Sequence, residues 1–282
     1  MPTYQQALKV NEQYALDNGK EPSAIKILML HFTHMNSADL IAKLNETMDE
    51  HLYLKFLHAV DEYIINNKPI QYITESEYFY GYRFNVNECV LIPRFETEEL
   101  VTYILDLKTE HFKDKKVDLL DVGTGSGCLA IALALEDKTI HAHASDISKE
   151  ALDVARKNSE ALKADVEFYQ GDLLKAVTGK TFDIIVSNPP YIPNKEEVAP
   201  IVKDYEPHIA LYGGEDGLDY YRKILTEAKD YLNDRFMIAF EHAYDKAKDI
   251  KKLIKKNFKN VHIIQKKDMQ GKDRMTFVLN KD

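Results

Sequence analysis

The chain has 282 residues, which at roughly 150 residues per domain suggests two domains and suffices to bury a core without staples. Hydrophobic residues at 45% and charged residues at 29% exclude a collagenous, low-complexity or mainly disordered chain. Lys plus Arg is 37 and Asp plus Glu is 46, so the formal net charge of −9 argues against a whole-surface basic field for gripping nucleic acid.

Residues 1–73 read as a small helical bundle. Leu8, Tyr14, Ala15 and Leu16 mark a first apolar face. Pro22 and Ser23 open a second run, in which Ile25, Leu28, Met29 and Phe32 follow helical spacing. Ser37 with Leu40, Ile41 and Leu44 gives a short third helix, and Met48, Leu52, Phe56, Ala59, Val60 and Tyr63 a longer one. No catalytic spacing occurs here, so recognition rather than chemistry is the expected role. Residues 74–93 read as a linking β-hairpin, because Tyr78 to Ile92 is rich in aromatic and β-branched residues, is broken by Gly81 and ends at Pro93.

From residue 94 to 282 strands and helices alternate. Val117–Val122 is a strand, then come a glycine-rich turn and a helix from Cys128 to Leu135. Ile140–Ile147 is the next strand, followed by a helix from Ser148 to about Leu162. Val166–Gln170, Phe182–Ser187, Phe236–Phe240, Val261–Gln265 and Met275–Leu279 are further strand candidates. This rhythm predicts an α/β fold with a largely parallel sheet covered on both faces, with ligands at the carboxyl ends of the strands. The lysines from Lys246 to Lys259 interleave with Ile250, Leu253, Ile254 and Phe258, as on an amphipathic helix with a solvated basic face.

Four motifs lie at strand ends. Asp121-Val122-Gly123-Thr124-Gly125-Ser126-Gly127 joins a strand to a helix. Its third glycine comes one residue too early for the dinucleotide fingerprint, and no Gly-Lys-Ser/Thr follows, so the GxGxG loop of adenosylmethionine sites fits better. Asp146, about 20 residues on at the next strand end, can accept both hydroxyls of a ribose. Asp172 in Gly171-Asp172-Leu173-Leu174 can accept from an adenine amino group, with Leu173 an apolar neighbour to the ring. Asn188-Pro189-Pro190-Tyr191 is a rigid turn whose carbonyls face no local N–H from the prolines. An asparagine oxygen and a proline carbonyl can take the two hydrogens of a planar NH2 group, and Tyr191 offers a ring face.

With these motifs the chain resembles class I adenosylmethionine-dependent methyltransferases that modify planar amino groups, and more closely the HemK/PrmC family of protein-(glutamine-N5) methyltransferases. The resemblance spans nearly the whole chain. It includes Gln71-Tyr72-Ile73, Phe79-Tyr80-Gly81, the segment from Val90 to Glu98, Asp121 to Gly127, Asn188 to Tyr191, Gly213 to Leu218, and Gly271 to Arg274. Phe95 in place of a second proline, Leu173 in place of an aromatic, and Glu241-His242-Ala243 without a glycine depart from the family pattern.

The resemblance implies a Rossmann-like, seven-stranded, mostly parallel sheet behind a helical N-terminal domain. It implies methyl transfer from S-adenosyl-L-methionine, leaving S-adenosyl-L-homocysteine, to the glutamine of the Gly-Gly-Gln motif of class-1 peptide chain release factors, which modulates translation termination. Carried over residue by residue, Asp121, Gly123, Thr124, Gly125, Ser126, Gly127, Asp146, Asp172, Leu173 and Asn188 would hold the cofactor. Asn188, Pro189, Pro190 and Tyr191 would act on the substrate, joined by Arg94. No metal, membrane or stable nucleic-acid partner is expected, and a monomer is.

The nearest alternative is an N6-adenine DNA or RNA methyltransferase, since adenine's amino group fits the same acceptor pair, but it would need a phosphate-binding surface. The glycine spacing disfavours an NAD-dependent dehydrogenase, and a non-catalytic adenosylmethionine-binding module has no use for Asn188 to Tyr191. His141 and His143 share a strand face without a third ligand nearby in sequence, so they are read as structural, as are His31 and His34. Cys89 and Cys128 form no CxxC pair, as in a reducing compartment. The opening MPTYQQALKV has no secretory pattern, and the run from Cys128 to Leu135 is far below the ~20 residues of a membrane span, so a cytoplasmic location is expected.

Overall fold

Side-chain caps fix where the first helices begin. In the computed structural model, which describes residues 1–281, Thr3 caps α1 (Tyr4–Asp17) through a reciprocal box with Gln6. Helix α2 (Ser23–Thr33) follows Pro22. Asn36 accepts from the amides of Ala38 and Asp39, at 2.8 and 2.9 Å, to start α3 (Ser37–Ala42). Asp49 accepts from Leu52 N to start α4 (Glu50–Ile64), and α5 (Ile70–Ile73) closes the set. The buried face of α1 is Tyr4, Ala7, Asn11 and Ala15, whereas Leu16 is exposed. Steps of three and four place residue 15, not 16, beneath residues 4, 7 and 11. Asn11 is tolerated on that face because its amide donates to Ala7 O at 2.7 Å. These helices enclose a core around Leu28, Met29, Phe56 and Val60 and belong to a compact unit, Met1–Glu75.

The second compact unit starts at Ser76. Strands β1 (Ser76–Phe79) and β2 (Tyr82–Asn85) pair antiparallel across Tyr80-Gly81, both with positive φ, as a tight right-twisted hairpin requires. Phe79 and Phe84 are buried edge to face in the main core of this unit. Asn158 fastens the hairpin further by accepting from the backbone and side-chain amides of Asn85, at 2.7 and 2.9 Å. The hairpin is thus packed into the second unit.

Helix α6 (Phe95–Phe112) comes next, then β3 (Val117–Val122), α7 (Cys128–Glu136), β4 (Ile140–Asp146), α8 (Lys149–Leu162), β5 (Val166–Gln170) and β6 (Phe182–Ser187). The remainder is α9 (Pro200–Tyr205), α10 (Asp219–Glu227), β7 (Leu232–Glu241), α11 (Ala247–Asn257), β8 (Val261–Lys267) and β9 (Asp273–Asn280). The seven strands stand in the order β5-β4-β3-β6-β7-β9-β8. The first five are parallel, while β9 runs antiparallel to β7 and β8 antiparallel to β9. Leu100, Ile104, Leu129 and Leu133 from α6 and α7 cover one sheet face, and Tyr221, Ile224, Ile250 and Ile254 from α10 and α11 cover the other. Strand order reverses between β3 and β6, so the chain leaves their carboxyl ends in opposite directions and opens a crevice there. Among the described residues no helix is long and apolar enough to cross a membrane.

Candidate active site

The crevice is a cavity of about 400 Å³ at the carboxyl ends of β3, β4 and β6. Gly123, Thr124, Gly125, Ser126, Asp146, Asp172, Leu173, Asn188, Pro189, Pro190 and Arg94 all line it. Asp121, Gly127 and Tyr191 stand behind the lining.

The glycine loop is pinned from below. Gly123 N and Thr124 N donate to Ser145 O at 2.8 and 3.0 Å, and Thr124 Oγ1 donates to Asp121 Oδ2 at 2.6 Å. Gly123 and Gly125 leave open space where a Cβ would project. Gly127 is needed for packing instead. A Cβ there would come within 2.9 Å of Ile131 and 3.1 Å of Ala155, so α7 and α8 can approach only at a glycine. Asp146 accepts from Gly125 N and Ser148 N, both at 2.9 Å, one on each oxygen. Each carboxylate oxygen keeps a further acceptor direction. Burial raises the Asp146 carboxyl above its ordinary value, partly offset by these amides. Asp121 is fully buried, one of its oxygens has no hydrogen-bond partner, and burial pushes its carboxyl up to about 7. Cys128 lines the cavity, but burial pushes its thiol up to about 12, so it is no nucleophile.

Asn188 follows β6 directly. Its amide nitrogen donates to Thr97 Oγ1 at 3.3 Å, and Thr97 Oγ1 donates to Glu241 Oε2 at 2.7 Å. Anchoring the NH2 end fixes the carboxamide and leaves its oxygen as the free acceptor. Thr97 and Glu241 are both buried, and burial pushes the Glu241 carboxyl up to about 7, with nearby Arg274 opposing the rise. Sequence patterns alone do not single out either residue. The available signal for Glu241 is an acid directly after the apolar run Phe236 to Phe240 at the end of β7.

The turn from Asn188 to Tyr191 is braced by the segment Gly213 to Leu218. Ile192 N donates to Leu211 O at 3.0 Å, Gly213 N to Ile192 O at 2.8 Å, and Asn194 N to Gly214 O at 2.8 Å. A Cβ on Gly213 would lie 2.4 Å from Pro190 O, and one on Gly217 2.2 Å from Tyr191 O. Tyr191 packs against the core beneath α10, and burial together with the Glu241 charge pushes its hydroxyl up to about 12. Arg94 forms an ion pair with the buried Glu206 at the cavity wall. Ile209, Tyr220 and Lys223 also line the cavity.

A parallel sheet with a late antiparallel pair, a glycine loop after β3 and an acid after β4 define a class I methyltransferase. Residues 104–205 match the profile of the methyltransferase small domain, and residues 6–74 that of the PrmC N-terminal domain. The release factor glutamine methyltransferase of Bacillus cereus is 41% identical over 276 residues, covering 96% of this chain and 97% of its own. That of Bacillus subtilis is 42% identical over 279 residues, covering 97% and 96%. The chain belongs to the release factor glutamine methyltransferase family. A methyltransferase from Pyrococcus furiosus shares the fold, with a TM-score of 0.52 at 20% identity over 82% of this chain and 98% of that one. The family implies S-adenosylmethionine as methyl donor, and the open cradle at Gly123 and Gly125 beside an acidic ribose acceptor fits it.

Proposed function

We propose that this chain methylates the side-chain nitrogen, N5, of the glutamine in the Gly-Gly-Gln loop of class-1 peptide chain release factors. The observation that carries the reading is the anchored carboxamide of Asn188, whose NH2 end is held by Thr97, itself fixed by Glu241, while its oxygen remains free. Gly123 and Gly125 seat the donor, Asp146 takes its ribose hydroxyls, and Asp172 and Leu173 flank its adenine. Thr124 and Asp121 hold the loop in shape, and Ser126 and Gly127 set its entry into α7. Bound S-adenosylmethionine supplies an electrophilic methyl on a sulfonium.

An amide nitrogen is a poor nucleophile because its lone pair is delocalised into the carbonyl. The Asn188 oxygen and the Pro189 carbonyl accept its two hydrogens, which draws electron density toward nitrogen and fixes its direction of approach. As the nitrogen–methyl bond forms and the methyl–sulfur bond breaks, nitrogen gives up one of those protons to solvent, leaving a neutral secondary amide. Pro190 stiffens the turn, and Tyr191 supports it from the core side. Orientation and fixed dipoles provide the acceleration. The side-chain-free glycines before the substrate residue let a loop enter a crevice of this width. Arg94 is placed at the wall where flanking residues of the factor would pass. Residues 1–73 supply docking contacts, residues 74–93, which include the β1–β2 hairpin, form the connecting stretch, and residues 94–282 carry the chemistry.

The test is fragmentation mass spectrometry of a full-length release factor after incubation with S-adenosylmethionine and this protein. One methyl on the loop glutamine side chain is the expected product. An unmodified loop alongside methylated adenine in supplied DNA would overturn the reading.

A further inference from the structure

At the amino ends of β3, β4 and β5, away from the methyl-transfer crevice, lies a second polar cluster. His141 and His143 share one strand face, and the sheet register places Asp118 beside His141 and Glu167 beside His143. The third ligand that local spacing lacks is thus supplied by the neighbouring strand, 23 residues away. His141 Nδ1 is 2.8 Å from Asp118 Oδ1 and 3.2 Å from His143 Nε2, and His143 Nε2 is 3.5 Å from the same Asp118 oxygen. A tetrahedral zinc ion with ligands at about 2.0–2.2 Å has ligand–ligand edges of roughly 3.3 Å. The three atoms therefore already span one face of such a tetrahedron.

We propose that Asp118, His141 and His143 form a binding site for a divalent transition metal, with zinc as its best fit and water at the open position. Two imidazoles and one carboxylate suit zinc and disfavour magnesium and calcium, which take all-oxygen sites. The distal nitrogens are provided for as well. Glu167 Oε1 lies 3.4 Å from His141 Nε2, and Glu167 Oε2 lies 3.5 Å from His143 Nδ1. A single carboxylate can accept both outward N–H groups, the arrangement that orients metal-bound histidines. Tyr169 donates to Glu167, and Lys180 lies 3.6 Å from it on the outer side. His143 is buried, stacked on Tyr169 and edge-on to Phe182, so its ring is set before any ion arrives. Asp118 and His141 are about half exposed, which gives an ion and its water a way in. Bound metal would tie β3 to β4, with Glu167 extending the clamp to β5.

The experiment titrates zinc into metal-free, full-length protein against a chromophoric chelator, with magnesium as the negative control. The expected result is one equivalent of zinc, no competition by magnesium, and a melting temperature that rises with free zinc. His141→Ala and the near-isosteric Asp118→Asn should each weaken binding at least about tenfold, and Glu167→Gln by about 10–100-fold. His31, His34, His51 and His58 line a separate depression in the first unit, so the double variant His51→Ala/His58→Ala serves as the competing-site control and should bind zinc normally. Circular dichroism confirms that each variant is folded. Absence of a stoichiometric equivalent, or an equivalent that survives Asp118→Asn and His141→Ala but disappears in the double control, would overturn the proposal.

Discussion

Asn188 sits at the end of β6 with one end of its carboxamide committed and the other free, and that asymmetry comes from residues far away in sequence. Thr97 lies on α6 and Glu241 ends β7, so the pairing of β7 with β6 and the packing of α6 on the sheet bring them together at Asn188. A buried acid at this point carries a pH signature. Glu241 is held up to about 7 against an ordinary 4.5, chiefly by burial. Between those values the unfolded chain releases this proton while the folded chain keeps it, so its contribution lowers stability as pH rises through that window. Glu241→Gln should therefore melt higher than the parent above about pH 7, with the difference vanishing toward pH ~4. Asp121 shifts in the same direction but is present in both proteins, so the comparison isolates Glu241. A melting difference independent of pH would contradict this assignment.

The brace behind the Asn188 to Tyr191 turn is built by a second loop. Gly213 and Gly217 are where two loops pass with no room for a Cβ. Gly213→Ala should push the Pro190 carbonyl aside, and small displacements of positioning groups lose about 10²-fold in turnover. Donor affinity, read by calorimetry, should stay near that of the parent because the glycine loop is untouched. Equal losses in both would instead indicate general unfolding.

Elements with clean apolar patterns were legible in the sequence. Val117–Val122, Val166–Gln170 and Phe182–Ser187 are found at those bounds, because each is a short run enriched in β-branched, aromatic or aliphatic residues and closed by turn residues. Strand β7 begins four residues before the expected Phe236, since the polar residues Asn233, Asp234 and Arg235 hide its start. Helix α6 does not stand out because Thr97 and Lys108 interrupt its buried stripe. Lys108 is accommodated there by an ion pair with Asp137 at 2.9 Å. The same limit applies to the crevice. Motifs at strand ends could be read locally, while Thr97, Glu241 and the bracing role of Gly213 to Leu218 depend on contacts across the sheet.

A glutamine alone offers little contact for selecting a release factor, and residues 1–73 form a separate set of capped helices without catalytic spacing, to which we assign the docking role as a proposal. Removing residues 1–75 should raise KM for the intact factor by at least about tenfold, the scale of losing roughly 1.4 kcal/mol of contact. The rate with a short Gly-Gly-Gln peptide should change little, and that peptide rate also reports whether the remaining unit is folded. Equal losses with factor and peptide would assign the segment to stability instead.

In the proposed mechanism the oriented oxygen of Asn188 drives methyl transfer to a glutamine amide. Single-turnover methylation of a full-length release factor by Asn188→Ala, at saturating S-adenosylmethionine, tests it most directly. The expected rate is about 10²–10³-fold below that of the parent, as for loss of one preorganised polar contact, with donor affinity largely retained. A rate within about threefold of the parent would contradict the amide clamp, since a difference that small is under ~1 kcal/mol of transition-state stabilisation.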